Sequence, residues 1–399
     1  MSRYALHCRV CEEVAPPDPV EACVRCDGPT DVLYDWGSIR DRTSRERIAA
    51  GPRSLWRYAP FLPGAARLDL GAGWTPLVHA RRLSDLLGVE LHLKLESANP
   101  TLSFKDRMAT VAAQVALDHG ITTLSCSSTG NLGDAVAAAA AAAGLEAIVL
   151  APAGDASVGS TAVAAGARVF AVRGTYEDCR RLQRELRELF PWGFVDGNLH
   201  PYAAEGAKTI AYEIAEQLDW RLPDAIVCPA ASGILFAKLA QGVAELRLAG
   251  LVRGPGPRLF AAQPEGASPI AAAYAEGRGI SRVRPRTHVR SLAVGDPSYG
   301  DLAIGAARSS GGDVVAVPES EVDRDTALLA ETTGVLADCA GGVALGALLD
   351  RLAAGAIPPG SRVVLVVTGA GVKPHDADTA AAPVVVDADL AGLLRHIRP

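Results

Sequence analysis

Short, mostly apolar runs alternate along this chain with longer segments whose apolar positions recur every three or four residues. Leu91–Leu95, Thr123–Ser127, Ala147–Leu150, Arg168–Val172, Ala225–Pro229, Arg258–Ala262 and Val363–Val367 read as strands. Lys105–His119, Asn131–Ala143, Ser157–Ala165, Tyr176–Phe190 and Gly233–Ala249 read as helices between them. A strand that is apolar without alternation is covered on both faces, and covered strands spaced by helices form parallel sheets. The predicted fold class is therefore α/β with mostly parallel sheets. Ligands in such folds sit where strand C-termini meet helix N-termini. That directs attention to the loops at 96–105, 127–131, 229–234 and 367–371.

Composition narrows the class of protein. With 399 residues the chain exceeds one ordinary domain, and 49% hydrophobic content fills a large core. Aromatics are only 5%, so small residues carry the packing. The longest apolar run, Ala135–Ala143, is far too short to span a bilayer. Met1–Cys11 is mixed polar and does not read as a leader. The expectation is a cytoplasmic protein with no membrane partner. A net charge of −6 argues against a nucleic-acid partner, which needs a basic surface.

Four of the eight cysteines fall in the first 26 residues. Cys8 and Cys11 form one C-x-x-C pair, and Cys23 and Cys26 form another, joined by a proline-rich stretch. Two such turns brought together offer four thiolates, a tetrahedral set that zinc prefers. The expectation is one structural zinc ion in a ribbon-like segment. A ribbon that keeps its cysteines without metal is the plainer alternative. A redox role is disfavoured because no helix start follows either pair.

The four loops carry candidate chemistry. Lys105 opens a helix in SANPTLSFKDRM, and the positive end of a helix dipole favours its neutral, nucleophilic amine. An inert first-turn surface lysine reads equally well from this loop alone. Asp106 and Arg107 read as capping and surface charges whichever role Lys105 has. SSTGNLG (Ser127–Gly133) offers hydroxyls and backbone N–H groups to an anion, where simple capping would account for one hydroxyl. PAASGI (Pro229–Ile234) has the small residues that let a backbone close around a phosphate. TGAG (Thr368–Gly371) places a hydroxyl and bare backbone at the end of VVLVV.

Together these segments resemble one family. The double C-x-x-C is followed in order by GAGWTPL (Gly71–Leu77), ESANPTLSFKDR (Glu96–Arg107), SSTGN (Ser127–Asn131), EGAKTIAYEI (Glu205–Ile214), AAQPEGASPI (Ala261–Ile270) and LVVTGAGVK, ending at Lys373. The chain is similar to the pyridoxal-phosphate enzymes of the tryptophan-synthase-β family (fold type II), and within them to the threonine synthases. The resemblance implies a two-lobed fold with pyridoxal 5'-phosphate as cofactor. Lys105 would hold it as a Schiff base and act as the catalytic lysine. Asn131 would bond its phenolic oxygen, Ala231, Ser232 and Gly233 would surround its phosphate, and Thr368 would face its ring nitrogen. Ser128, Thr129 and Gly130 would hold the substrate carboxylate, with Lys208 as a remaining substrate-binding cation. The expected domains are a ribbon over 1–35, a large cofactor-binding domain over 36–105 and 185–399, and a small mobile substrate domain over 106–184. The expected assembly is a homodimer.

The implied activity is elimination or replacement on an amino acid, as when a phosphorylated homoserine is converted to threonine. Alternatives are cysteate or cysteine synthase chemistry on phosphoserine or O-acetylserine, and serine/threonine dehydration. A non-enzymatic zinc-ribbon adaptor would leave Lys105 and the TGN loop unexplained. The chain also departs from the family pattern. Leu102 and Met108 stand where glycines are usual, and His200, Ala203 and Ala207 replace Asn, Arg and Gln. Asp338-Cys339 stands where Glu-Pro is common. Loss of an arginine from a site for a phosphorylated substrate suggests a changed substrate, unless Lys208, Arg173 or Arg290 substitutes.

Overall fold

The computed structural model describes residues 4–20, 22–128, 130–153, 160–372 and 383–397. The chain forms two compact units. One comprises Met1–Ala72, Lys105–Gly206 and Pro374–Pro399, and the other Gly73–Phe104 and Ala207–Lys373. Among the described residues no helix is long and apolar enough to cross a membrane.

The first unit opens with a three-stranded antiparallel sheet in which Tyr4–Cys8 lies between Val14–Ala15 and Thr30–Tyr34. Its main sheet is wholly parallel, in the order Val384–Asp387, Arg168–Arg173, Glu146–Pro152, Thr123–Ser127, Gly193–Phe194. The strand Thr123–Ser127 is buried throughout although its sequence, TLSCS, alternates polar and apolar residues; a strand inside a parallel sheet is covered on both faces. Ile148, Leu150, Phe170 and Leu182 pack the core on one face with Leu393.

The second unit is built on a six-stranded sheet, ordered Asp313–Val317, Arg258–Pro264, Ala225–Pro229, Arg362–Val367, Glu90–Leu95, Leu77–His79. All pairings are parallel except the last, where Leu77–His79 runs antiparallel to Glu90–Leu95. Every residue of the apolar run Val363–Val367 is buried. The fold class is thus the α/β arrangement read from the sequence.

Two features of the helices explain parts of the sequence. The helix Lys105–Asp118 is buried continuously from Asp106 to Ala116. Asp106 and Arg107 are therefore not the surface charges expected; both are buried, and Arg107 is among the largest fully buried side chains. A first turn with no solvent face carries its charges inward. Gly206, in the EGAK segment, lies against this helix. A Cβ there would come within 2.2 Å of the Arg107 carbonyl oxygen, so only glycine permits the approach.

The second unit contains a fully buried ion pair. Lys94 Nζ donates to Glu213 Oε2 at 2.7 Å, and neither side chain has any exposure. Lys94 also donates to the Thr75 carbonyl at 2.7 Å and to Gln217 Oε1 at 2.9 Å. Glu213 accepts from the N–H groups of Trp74 and Thr75 at 2.7 and 3.1 Å. The network extends through the Thr75 hydroxyl, which donates to Glu96 at 2.7 Å. Asn99 then donates to Glu96 at 2.9 Å and accepts from the Gly73 N–H at 2.8 Å. Replacing Lys94 with Met leaves the Glu213 carboxylate buried without its partner. It should cost about 3–5 kcal/mol, read as a lower urea midpoint. Arg173→Ala, which removes an exposed partner of Asp387, should change stability by no more than about 1 kcal/mol in the same assay.

Candidate active site

The predicted cofactor loops of the second unit lie at the C-terminal ends of adjacent parallel strands. Thr368 follows Arg362–Val367 and is buried. Its carbonyl accepts from the Phe104 N–H at 3.0 Å, Ser103 forms a bridge with Gly369, and the Ala370 N–H donates to the Leu102 carbonyl at 3.0 Å. The strand end bearing Thr368 is thus stitched by backbone bonds to the three residues before Lys105. On the other side the Asp338 N–H donates to the Gly369 carbonyl at 3.2 Å.

On the neighbouring strand, Ala225–Pro229 leads into Ala231, Ser232 and Gly233 and then the helix Ile234–Leu248. Gly233 has φ +84°, and a Cβ there would come within 2.8 Å of the Tyr299 carbonyl oxygen. Tyr299 also fixes the loop by donating its N–H to the Ser232 carbonyl at 2.8 Å. Gln263 donates to the Ala230 carbonyl at 3.2 Å and accepts from the N–H groups of Ile270 and Ala271 at 2.9 and 3.1 Å. A side-chain-poor loop at a helix N-terminus, half-exposed at Ala231 and Ser232, fits a phosphate. Gln263 lies within the AAQPEGASPI segment, but its role and that of Tyr299 rest on long-range contacts that the sequence does not reveal.

Leu102 occupies the left-handed region, with φ +64°. Such a conformation costs an L side chain about 1–2 kcal/mol and glycine almost nothing. The glycine expected here from the family pattern therefore has a backbone cause, and this chain keeps the conformation without it.

In the first unit, Lys105 and Asn131 are the first residues of two helices packed together, Lys105–Asp118 and Asn131–Ala143. Burial lowers the Lys105 ammonium from the ordinary lysine value to a pKa of about 8. That makes a neutral amine accessible near physiological pH, as a Schiff-base lysine requires.

The SSTGN loop lies at the C-terminal end of the strand Thr123–Ser127. Ser127 donates its hydroxyl to Asp196 at 2.6 Å. Ser128 accepts from the N–H groups of Gly130 and Gly133 at 3.0 and 2.8 Å and is buried. Its hydroxyl therefore closes its own loop, the capping role weighed against anion binding. Gly130 and Asn131 are half-exposed, and Thr129 lies outside the described residues. First-turn N–H groups at Asn131 and Leu132 remain suited to a carboxylate. The Lys208 side chain, expected as a substrate-binding cation, is fully buried, and its ammonium lies 2.9 Å from Glu245 Oε2. Arg173 is exposed and paired with Asp387.

The four N-terminal cysteines converge. Their sulfurs all lie within 4.8 Å of one another, with Cys8–Cys26 at 3.5 Å and Cys11–Cys23 at 3.6 Å. Zinc with bonds of about 2.3 Å to four thiolates separates its sulfurs by roughly 3.8 Å. The two turns are equivalent: the Glu12 N–H donates to the Cys8 carbonyl at 3.2 Å, and the Asp27 N–H to the Cys23 carbonyl at 2.9 Å. Both Glu12 and Asp27 have positive φ, 60° and 55°, which replaces the glycine often found in such turns. The donor set fits a tetrahedral metal.

Residues 68–369 match the pyridoxal-phosphate dependent enzyme family. The threonine synthase of Methanocaldococcus jannaschii is 32% identical over 98% of this chain and 98% of that protein. That of Methanosarcina acetivorans is 33% identical over 99% and 98%. Among solved structures, a fungal L-serine ammonia-lyase from Rhizomucor miehei is 25% identical, covering 74% of this chain and 93% of its own, with a TM-score of 0.63. Maize serine racemase, at 24% identity over 75% and 90% with a TM-score of 0.64, shares the fold. The order of the loops along the chain, the desolvated lysine at a helix start and this match over most of the chain agree, and the protein belongs to the pyridoxal-phosphate dependent enzymes.

Proposed function

We propose that this chain carries out elimination and replacement on an α-amino acid, of the threonine-synthase type. The observation that carries this reading is Lys105, a desolvated lysine opening a helix directly after a loop stitched to the Thr368 strand end. Full-length relatives are named threonine synthases, which favours that reaction type among the alternatives.

Pyridoxal phosphate, when bound, supplies an electron sink for the bonds at the substrate's α carbon. Lys105 would anchor it, Ala231, Ser232 and Gly233 would cradle its phosphate, and Asn131 and Thr368 would orient its ring. A hydroxyl such as that of Thr368 does not hold a proton on a ring nitrogen as a carboxylate does, which suits elimination at the β or γ carbon. First-turn N–H groups beside Gly130 and Asn131 bind the substrate carboxylate. The Lys105 amine would be the group that takes the proton from the substrate's α carbon.

A pKa near 8 fixes the pH response of Lys105. Roughly one-tenth of such a lysine is neutral at pH 7 and roughly nine-tenths at pH 9. Borohydride trapping of added pyridoxal phosphate should therefore rise about tenfold between these values and then level off. Peptide mapping should find the label on Lys105. Label elsewhere, or a rate still climbing steeply above pH 9, contradicts the assignment.

A second reading has its own support: the substrate is not O-phospho-L-homoserine. Lys208 is taken by Glu245, and Ala203 stands fully buried where the family pattern has arginine. Steady-state assays across O-phospho-L-homoserine, O-phosphoserine, O-acetylserine and threonine should show a specificity constant for phosphohomoserine at least about tenfold below that for another member of the panel. A charge-assisted contact worth roughly 1.5–3 kcal/mol is missing. Threonine formation as the best reaction removes this second reading and leaves the first.

The four-cysteine cluster binds one structural zinc ion in this reading. Metal analysis should find zinc that disappears in Cys11→Ser. That variant should melt at a lower temperature while Lys105 still accepts the borohydride label.

A further inference from the structure

Three metal-ligating side chains outside both sites converge in the second unit. His288 precedes the short turn Arg290–Leu292, Asp323 lies in the helix Glu319–Thr333, and Cys339 begins the helix Cys339–Ala353. One donor atom from each lies within 4.8 Å of the others. His288 Nε2 is 3.1 Å from Asp323 Oδ1, while its Nδ1 is 3.0 Å from Glu319 Oε2. Glu319 is held in turn, accepting from the Thr287 hydroxyl at 3.1 Å and from the Gly266 N–H at 3.1 Å.

We propose that His288, Asp323 and Cys339 form a second zinc-binding site, with Glu319 orienting the imidazole and one coordination position left open. Tetrahedral zinc holds nitrogen, oxygen and sulfur donors roughly 3.3–3.8 Å apart, so the His288–Asp323 pair is nearly in place. The sulfur needs no more than a local rearrangement to join them. A carboxylate on the second ring nitrogen is the recurrent way a metal-binding histidine is fixed, and Glu319 occupies that position. Sulfur and nitrogen donors select zinc over magnesium or calcium, which take oxygen. Asp323 and His288 are exposed, which leaves the site open to exchange with ions in solution. Cys339 is also a position where the chain departs from its family's pattern. Bound metal would fasten this helix start, one residue beyond Asp338 and its bond to Gly369, to the loop at His288.

The test is a zinc titration of the full-length, cofactor-loaded protein in competition with a chromophoric chelator. The wild type should take up one more zinc ion per chain than Cys339→Ser or His288→Asn. The four-cysteine cluster is common to all three and cancels in the difference. Glu319→Gln should keep the ion with affinity reduced by about tenfold to a hundredfold. Circular dichroism and borohydride labelling of Lys105 report whether each variant is folded, and either ligand variant alone suffices if the other is not. Equal zinc uptake by wild type and a folded ligand variant overturns the proposal.

Discussion

The buried Lys94–Glu213 pair is the constraint on which the second unit's geometry rests. Two charges wholly withdrawn from water are tolerable only when each is held by further polar groups. Here those groups are backbone atoms of Trp74 and Thr75 and the side chain of Gln217. The pair therefore dictates where the segment Gly73–Thr75 runs and ties it to the helix carrying Glu213. Through Thr75, Glu96 and Asn99 the same network reaches the loop that ends at Phe104. Residues that look catalytic in a motif, Glu96, Asn99 and Glu213 among them, are the internal frame of that loop.

That frame explains how a chemically modest set of residues becomes reactive. Parallel strands end side by side, so loops far apart in sequence emerge together at one edge of the sheet. Backbone bonds between Leu102–Phe104 and Thr368–Ala370 remove freedom from the segment leading into Lys105. They also account for Leu102, whose unfavourable φ survives because partners on both sides leave the backbone no other course. Withdrawal from water is what lowers the Lys105 pKa and changes its chemistry.

Much of this is legible in the sequence. Thr123–Ser127, Asn131–Ala143 and Ala225–Pro229 appear with the boundaries that the pattern predicts, because short strands set between long alanine-rich helices give strong signals. The helix His200–Gln217 gives no such signal. It is buried on nearly every face, so it has no polar stripe to mark its period. The cysteine cluster is visible as spacing, whereas the positive φ of Glu12 and Asp27 is not. Polar partners are the least accessible: Ser127 meets Asp196, and Lys208 meets Glu245, across separations that no local pattern encodes. For Lys208 the motif shows the lysine, and only the folded chain shows the glutamate it meets.

The placement of Arg362–Val367 has a bearing on how the chain reaches this state. It lies between Ala225–Pro229 and Glu90–Leu95, so these two earlier strands have no direct pairing with each other. During synthesis the ribosome releases them long before the strand that joins them. Until then Glu90–Leu95 has only its short antiparallel neighbour, Leu77–His79, and exposes an apolar edge. Closing a loop from residue 95 to residue 362 is slow compared with local helix formation. Nascent chains of this topology thus pass through a stage in which half a sheet waits for its centre, the period when chaperone capture and aggregation compete most directly with folding.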